Sequence, residues 1–134
     1  MANVNLTEAS VLPSTNARRL RGTFGATIVQ GTVVNRDAAD GKFKIADCTS
    51  AATDEACGIA LTSGANGQPG IIMTGGNLTC DMLTAGTVYV LSDAGQIAPA
   101  VDLNLLTDYC TVVGAASSST NLVVAFIVSG YQTP

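Results

Sequence analysis

From Thr27 onward the chain is punctuated by turn-forming sequence, and the runs between the cuts are β-branched and carry no sustained helical period. The cuts are Asp40-Gly41, the breaker-rich stretch 63–70 (SGANGQPG), Gly75-Gly76, Asp93-Ala94-Gly95 and 117–120 (SSST). Between them lie short runs rich in Val, Ile and Thr, the pattern of a β-sandwich or β-barrel. The fold class expected is therefore all-β: a small β-barrel or β-sandwich with an extended N-terminal arm and at most one short helix. Strands are expected over 27–36, 42–46, 55–62, 70–73, 77–81, 87–91, 96–98, 110–116 and 121–129. Asp40-Gly41 should close a hairpin in which Lys42 and Lys44 face water while Phe43 and Ile45 pack. Only 102–108 has helical character, with Asp102 as its cap.

Residues 1–26 have a different texture. They lack periodicity, contain Pro13, and gather Arg18, Arg19 and Arg21. We read 1–26 as an arm and 27–134 as the body. The arm holds half of the chain's six Lys and Arg and carries a net +2, with Glu8 as its acid; the chain as a whole is −4, so the body is −6. An acidic body repels phosphate backbones, so nucleic acid is not an expected partner. Arginine forks onto carboxylates, so Arg18, Arg19 and Arg21 are candidate contacts to an acidic patch of another subunit.

Only 12% of residues are charged while 47% are hydrophobic, so uncharged surface is expected to face another subunit. Leu122-Val123-Val124-Ala125-Phe126-Ile127-Val128 is apolar at every position, which predicts burial on both faces. Val124 and Phe126 are the candidate subunit contacts there. A weak repeat accompanies this: Gly31-Thr32-Val33 followed by Gly41, then Gly86-Thr87-Val88 followed by Gly95, each upstream of a Gly-aliphatic-Ala or similar motif at Gly58 or Gly114. Two hairpin-plus-strand units about 55 residues apart are expected, in a pseudo-symmetric barrel or sandwich.

Chemistry has little to work with. With no histidine, most acid–base and triad schemes lack their base, and mixed zinc sites lack a ligand. Cys48, Cys57, Cys80 and Cys110 form no C-x-x-C, and three sit beside acids or a tyrosine, so they read as structural thiols. Asp37, Asp40 and Asp47 lack the ligand spacing of a calcium loop. The chain reads as non-enzymatic, without catalytic residue, cofactor or metal. The N-terminus shows no secretory signal and no stretch is long and apolar enough to span a membrane, so no membrane partner is expected.

The succession from Gly31-Thr32-Val33-Val34 through Asp40-Gly41-Lys42, Gly58-Ile59-Ala60 and Gly67-Gln68-Pro69-Gly70-Ile71-Ile72-Met73-Thr74-Gly75-Gly76 to Gly86-Thr87-Val88-Tyr89-Val90-Leu91, Gly95-Gln96-Ile97 and Val113-Gly114-Ala115-Ala116 resembles the bacteriophage capsid cement, or head-decoration, family. The resemblance covers about residues 24–130. It implies a virion protein on the outer capsid surface, assembled in the bacterial host cytoplasm, whose partners are the major capsid protein and itself, usually as a homotrimer and sometimes as a dimer. It brings no catalytic residue or cofactor. The alternative reading is a phage or virus surface module that binds a host glycan or receptor, which exposed tyrosines would favour.

Overall fold

The structure, a computed structural model, describes residues 11–13, 16–37, 40–46, 56–80, 83–92, 95–99 and 109–132, without the side chains of 12, 56–57, 109–110 and 127–132. Among the described residues there is no α-helix, and the fold is all-β as expected. The strands are β1 (Leu12–Pro13), β2 (Arg18–Thr23), β3 (Val33–Arg36), β4 (Phe43–Ile45), β5 (Ala56–Ala60), β6 (Pro69–Thr79), β7 (Val88–Leu91), β8 (Ile97–Pro99), β9 (Tyr109–Ala116) and β10 (Asn121–Gln132). They form one curled antiparallel sheet, a half-barrel, in the order β4-β3-β5-β6-β10-β9-β7-β8, with β1 and β2 also on β6. The candidate helix at 102–108 lies outside the described residues.

The order reads the same from both ends, because β3–β6 and β7–β10 repeat one arrangement. Each begins with a hairpin, pairs its first strand with the third, and contributes its fourth strand to the central join. The hydrogen bonds repeat as well. Gly31 N–H donates to Ala60 C=O and Ala60 N–H to Thr32 C=O, both at 2.8 Å. Gly86 N–H donates to Ala116 C=O at 2.8 Å and Ala116 N–H to Thr87 C=O at 2.9 Å. Gly31 and Gly86 both take positive φ, 93° and 80°, which a Cβ disfavours. The sequence echo is thus a real structural repeat.

The hairpin at Asp40-Gly41 forms as expected, with Val34 opposite Ile45 and Arg36 opposite Phe43. Phe43 is buried, but Ile45 at the strand end stays partly exposed. The expected strands at 70–73 and 77–81 are one strand, β6, which runs through Gly75-Gly76. Gly76 has φ 106°, and the backbone of Asn16 and Ala17 passes so close that no side chain fits. The first expected strand shortens to β3, because residues 24–28 instead bend to fill a second, smaller core.

That smaller core contains Phe24, Ile28, Val34, Phe43, Ala60 and Ile72. The larger one joins Val33, Ile59 and Met73 to Leu78, Tyr89, Leu91, Val113, Leu122, Val124 and others. Neighbouring residues on β3, β5 and β6 alternate between the two, so this half of the sheet is buried on both faces.

The expected arm boundary at residue 26 does not describe this packing. Residues 1–10 lie outside the described part. From Val11 onward, however, the segment is built into the body: Val11 is fully buried, Leu12 and Pro13 pair with β6, β2 pairs with β6 over six residues, and Phe24 is fully buried. Burying a phenylalanine side chain stabilises by about 1.5–3 kcal/mol, which a solvated tail forgoes.

Candidate functional site: an arginine-bearing edge strand

β2 has the sequence Arg-Arg-Leu-Arg-Gly-Thr and no apolar alternation to make it a strand by itself. It is extended because β6 offers a long ladder: Arg19 lies opposite Met73, Leu20 opposite Ile72 and Thr23 opposite Pro69, with an irregularity between Arg18 and Arg19. Gly22 and Gly70, opposite each other, leave room for two rings. A methyl at Gly22 would overlap Phe43, and one at Gly70 would overlap Phe24. β2 is therefore pinned at its C-terminal end, and its first four residues are all exposed.

The structure brings Arg18, Arg19 and Arg21 onto this one strand. The Arg18 guanidinium lies across Gly75, where a methyl would come 2.6 Å from one of its nitrogens. Arg21 borders a shallow cleft of about 300 Å³ shared with Gly22, Thr62, Ser63, Pro69, Gly70 and Ile71. The cleft's hydroxyls already hold its walls: Ser63 Oγ accepts the Gln30 N–H at 2.9 Å and Thr62 Oγ1 the Ile71 N–H at 3.2 Å. Among the described residues no carboxylate pairs with any of the three arginines; the ion pairs found are Lys44 with Asp37 and Asp40, at 2.6 and 3.4 Å. Three permanent cations thus face outward with strong donors available.

Val124 and Phe126 are placed differently. Val124 is 2% exposed and belongs to the larger core, and Phe126 packs against that core. Val124 is a core residue of the single chain, which corrects its reading as a subunit contact, while Phe126 is only partly buried. β10 alternates over 122–126, with Val123 at 43% exposure and Ala125 also exposed, so the expectation of two buried faces does not hold there. The face that sequence reasoning missed crosses three strands: Val88 on β7 lies opposite Ala115, and Ala115 opposite Val123. Its counterpart in the other repeat, Val33 opposite Ile59 opposite Met73, is fully inside the larger core. Only the repeat register reveals this, because one run of valines looks like another.

The remaining candidates resolve as follows. Cys80 is buried in the larger core; Cys48 and the side chains of Cys57 and Cys110 lie outside the described residues. Among the described residues no His, Cys, Asp or Glu cluster has metal-binding geometry. Tyr89 is buried and its phenol oxygen accepts the Thr84 N–H at 2.9 Å, so its ring is not a sugar platform. The Asp40 carboxyl is held below its ordinary value chiefly because it accepts the Lys42 N–H, and the Lys44 ammonium is raised chiefly by its bond to Asp37. Both belong to the β3–β4 turn. Compared with models of known families and with curated proteins, the chain matches neither.

Proposed function

We propose that the protein is a structural decoration subunit of a bacteriophage capsid: it binds the outer surface of the assembled head and ties major capsid subunits together. The observation that carries this reading is the exposed arginine strand β2, anchored in the body and lacking an acidic partner among the described residues. An uncommitted cationic strand on a chain of net charge −4 favours contact with carboxylates of another protein. The exposed Val88–Ala115–Val123 face supports association with further copies, as a homotrimer on the head. Contacts repeated over a shell gain by avidity, so each can be modest. The motif order that resembles capsid cement proteins adds to the reading.

The test is direct decoration. Purified protein is mixed with expanded heads assembled from the major capsid protein of the same genome and imaged by cryo-electron microscopy. Ordered density at capsomer junctions, weakened by salt, is the expected result. Bare heads at saturating protein would overturn the proposal.

A further inference from the structure

Among the described residues β2 is paired on one side only: β6 lies along it and no strand runs along its other side from Arg18 to Gly22. Past Thr23 that other side is closed, since Phe24 bridges Phe43 in parallel and Gly25 N–H donates to Phe43 C=O at 2.8 Å. The directions of the backbone groups follow from the same place. Phe24 N–H donates to Gln68 C=O at 2.9 Å and Phe24 C=O accepts from Gly67 N–H at 2.8 Å, so Phe24 turns both groups towards the β6 side. Alternation carried back along the strand turns those of Leu20 and Gly22 towards β6, and those of Arg19 and Arg21 away from it. The two residues that leave backbone donors and acceptors open also carry guanidinium groups.

An open edge invites a further strand, and edge cations decide which strands are admitted. A basic segment is repelled; an acidic one places carboxylates beside Arg19 and Arg21 while its main chain completes the ladder. We infer that the Arg18–Gly22 edge of β2 accepts an extended acidic segment of a partner protein as an added strand. This rests on the reading that the chain works by docking onto other subunits, and it names how the docking is made.

The probe is the full-length protein with the peptide acetyl-(Val-Glu)4-amide, against acetyl-(Val-Lys)4-amide, a single-stranded oligothymidylate and the protein alone at rising concentration. Amide hydrogen exchange by NMR reads the edge directly. The Val-Glu peptide slows exchange at Arg19 and Arg21 and not at Leu20, and binds at least about tenfold more tightly than the Val-Lys peptide, the difference shrinking with salt. The double substitution Arg19→Gln, Arg21→Gln weakens Val-Glu binding by about tenfold while leaving the fold intact. Arg21→Pro, which removes an outward N–H and no β6 bond, weakens it with Arg19 unchanged. The inference is overturned if the two peptides bind equally, if protection appears elsewhere, if the oligothymidylate is preferred, if the edge is occupied by a second copy, or if nothing binds and the arginines only keep the edge from aggregating. Head decoration with a failed peptide experiment sinks the edge alone; failed decoration with a bound peptide sinks the capsid reading alone.

Discussion

The ring of Phe24 occupies the space above Gly70 where any other residue would place its Cβ. The same ring faces Gly64, where a methyl would come 2.9 Å from it. Phe24 thereby fastens the N-terminal segment to the body. Phe24→Ala is expected to cost about 3–5 kcal/mol in chemical denaturation, the cost of emptying a ring-sized site. Gly70→Ala also destabilises alone, and less so in a Phe24→Leu background. Independent, additive effects would contradict the contact.

Truncation follows from the same anchoring. Removing residues 1–21 takes away the buried Val11, β1 and most of β2, leaving one side of β6 unpaired. Such a protein is expected to lose its cooperative unfolding transition by circular dichroism. A stable truncated body would show the strand to be dispensable.

Val123 and Val124 are neighbours with opposite fates, one exposed and one in the core. Val124→Asp buries a carboxylate without a partner and should cost about 4 kcal/mol or more. Val123→Asp should change monomer stability by about 0.5 kcal/mol or less. If copies associate through the Val88–Ala115–Val123 face, it also lowers the mass seen by light scattering.

Gly67 and Gly76 both have positive φ, 89° and 106°, but only Gly76 is crowded: a methyl there would come 2.6 Å from the Asn16 carbonyl oxygen. Gly67→Ala should cost about 1 kcal/mol from backbone conformation alone. Gly76→Ala should cost clearly more, because the connection between β1 and β2 must move. Equal losses in thermal denaturation would remove the crowding from the argument.

The β3–β4 turn should respond to pH at both ends of the scale. A carboxyl held low in the folded chain stabilises above its ordinary value and ceases to as pH falls through the lowered one; a raised ammonium stabilises below its ordinary value and ceases to as pH climbs through the raised one. With ordinary values of 3.8 for Asp40 and 10.5 for Lys44, the turn is tightest between about pH 4 and pH 10. Carboxyl carbon shifts should place the Asp40 midpoint below 3.8, and Lys44→Gln should raise it only partly, because the larger contribution comes from the Lys42 N–H. A midpoint at or above 3.8 in the unmodified protein would contradict this.

What the sequence makes legible is local. Turn residues and β-branched runs mark the β3–β4 hairpin, β7, β9 and β10, and glycine spacing marks the repeat, because each depends on neighbours in the chain. β2 is different: Arg-Arg-Leu-Arg has no strand period, and it is extended only because β6 lies beside it. Its one local hint is an aromatic residue, Phe24, between Gly22 and Gly25. The run at 122–128 fails for the opposite reason. Uniformly apolar sequence cannot say which face meets the core, so Val124 and Val123 look equivalent until the register with β9 separates them. The arginines stand out by charge, and their place on an edge that no other described strand covers emerges only from the topology.

The palindromic strand order leaves β6 and β10 as the seam between the two repeats, and that seam is five residue pairs, from Asn121 with Thr79 to Ala125 with Gly75. A chain cleaved between Leu83 and Thr84 would yield two fragments, each with a complete hairpin and a complete set of repeat hydrogen bonds. Mixed together, they have the means to find each other again across that seam, so that the single chain behaves as two halves reassociating by complementation.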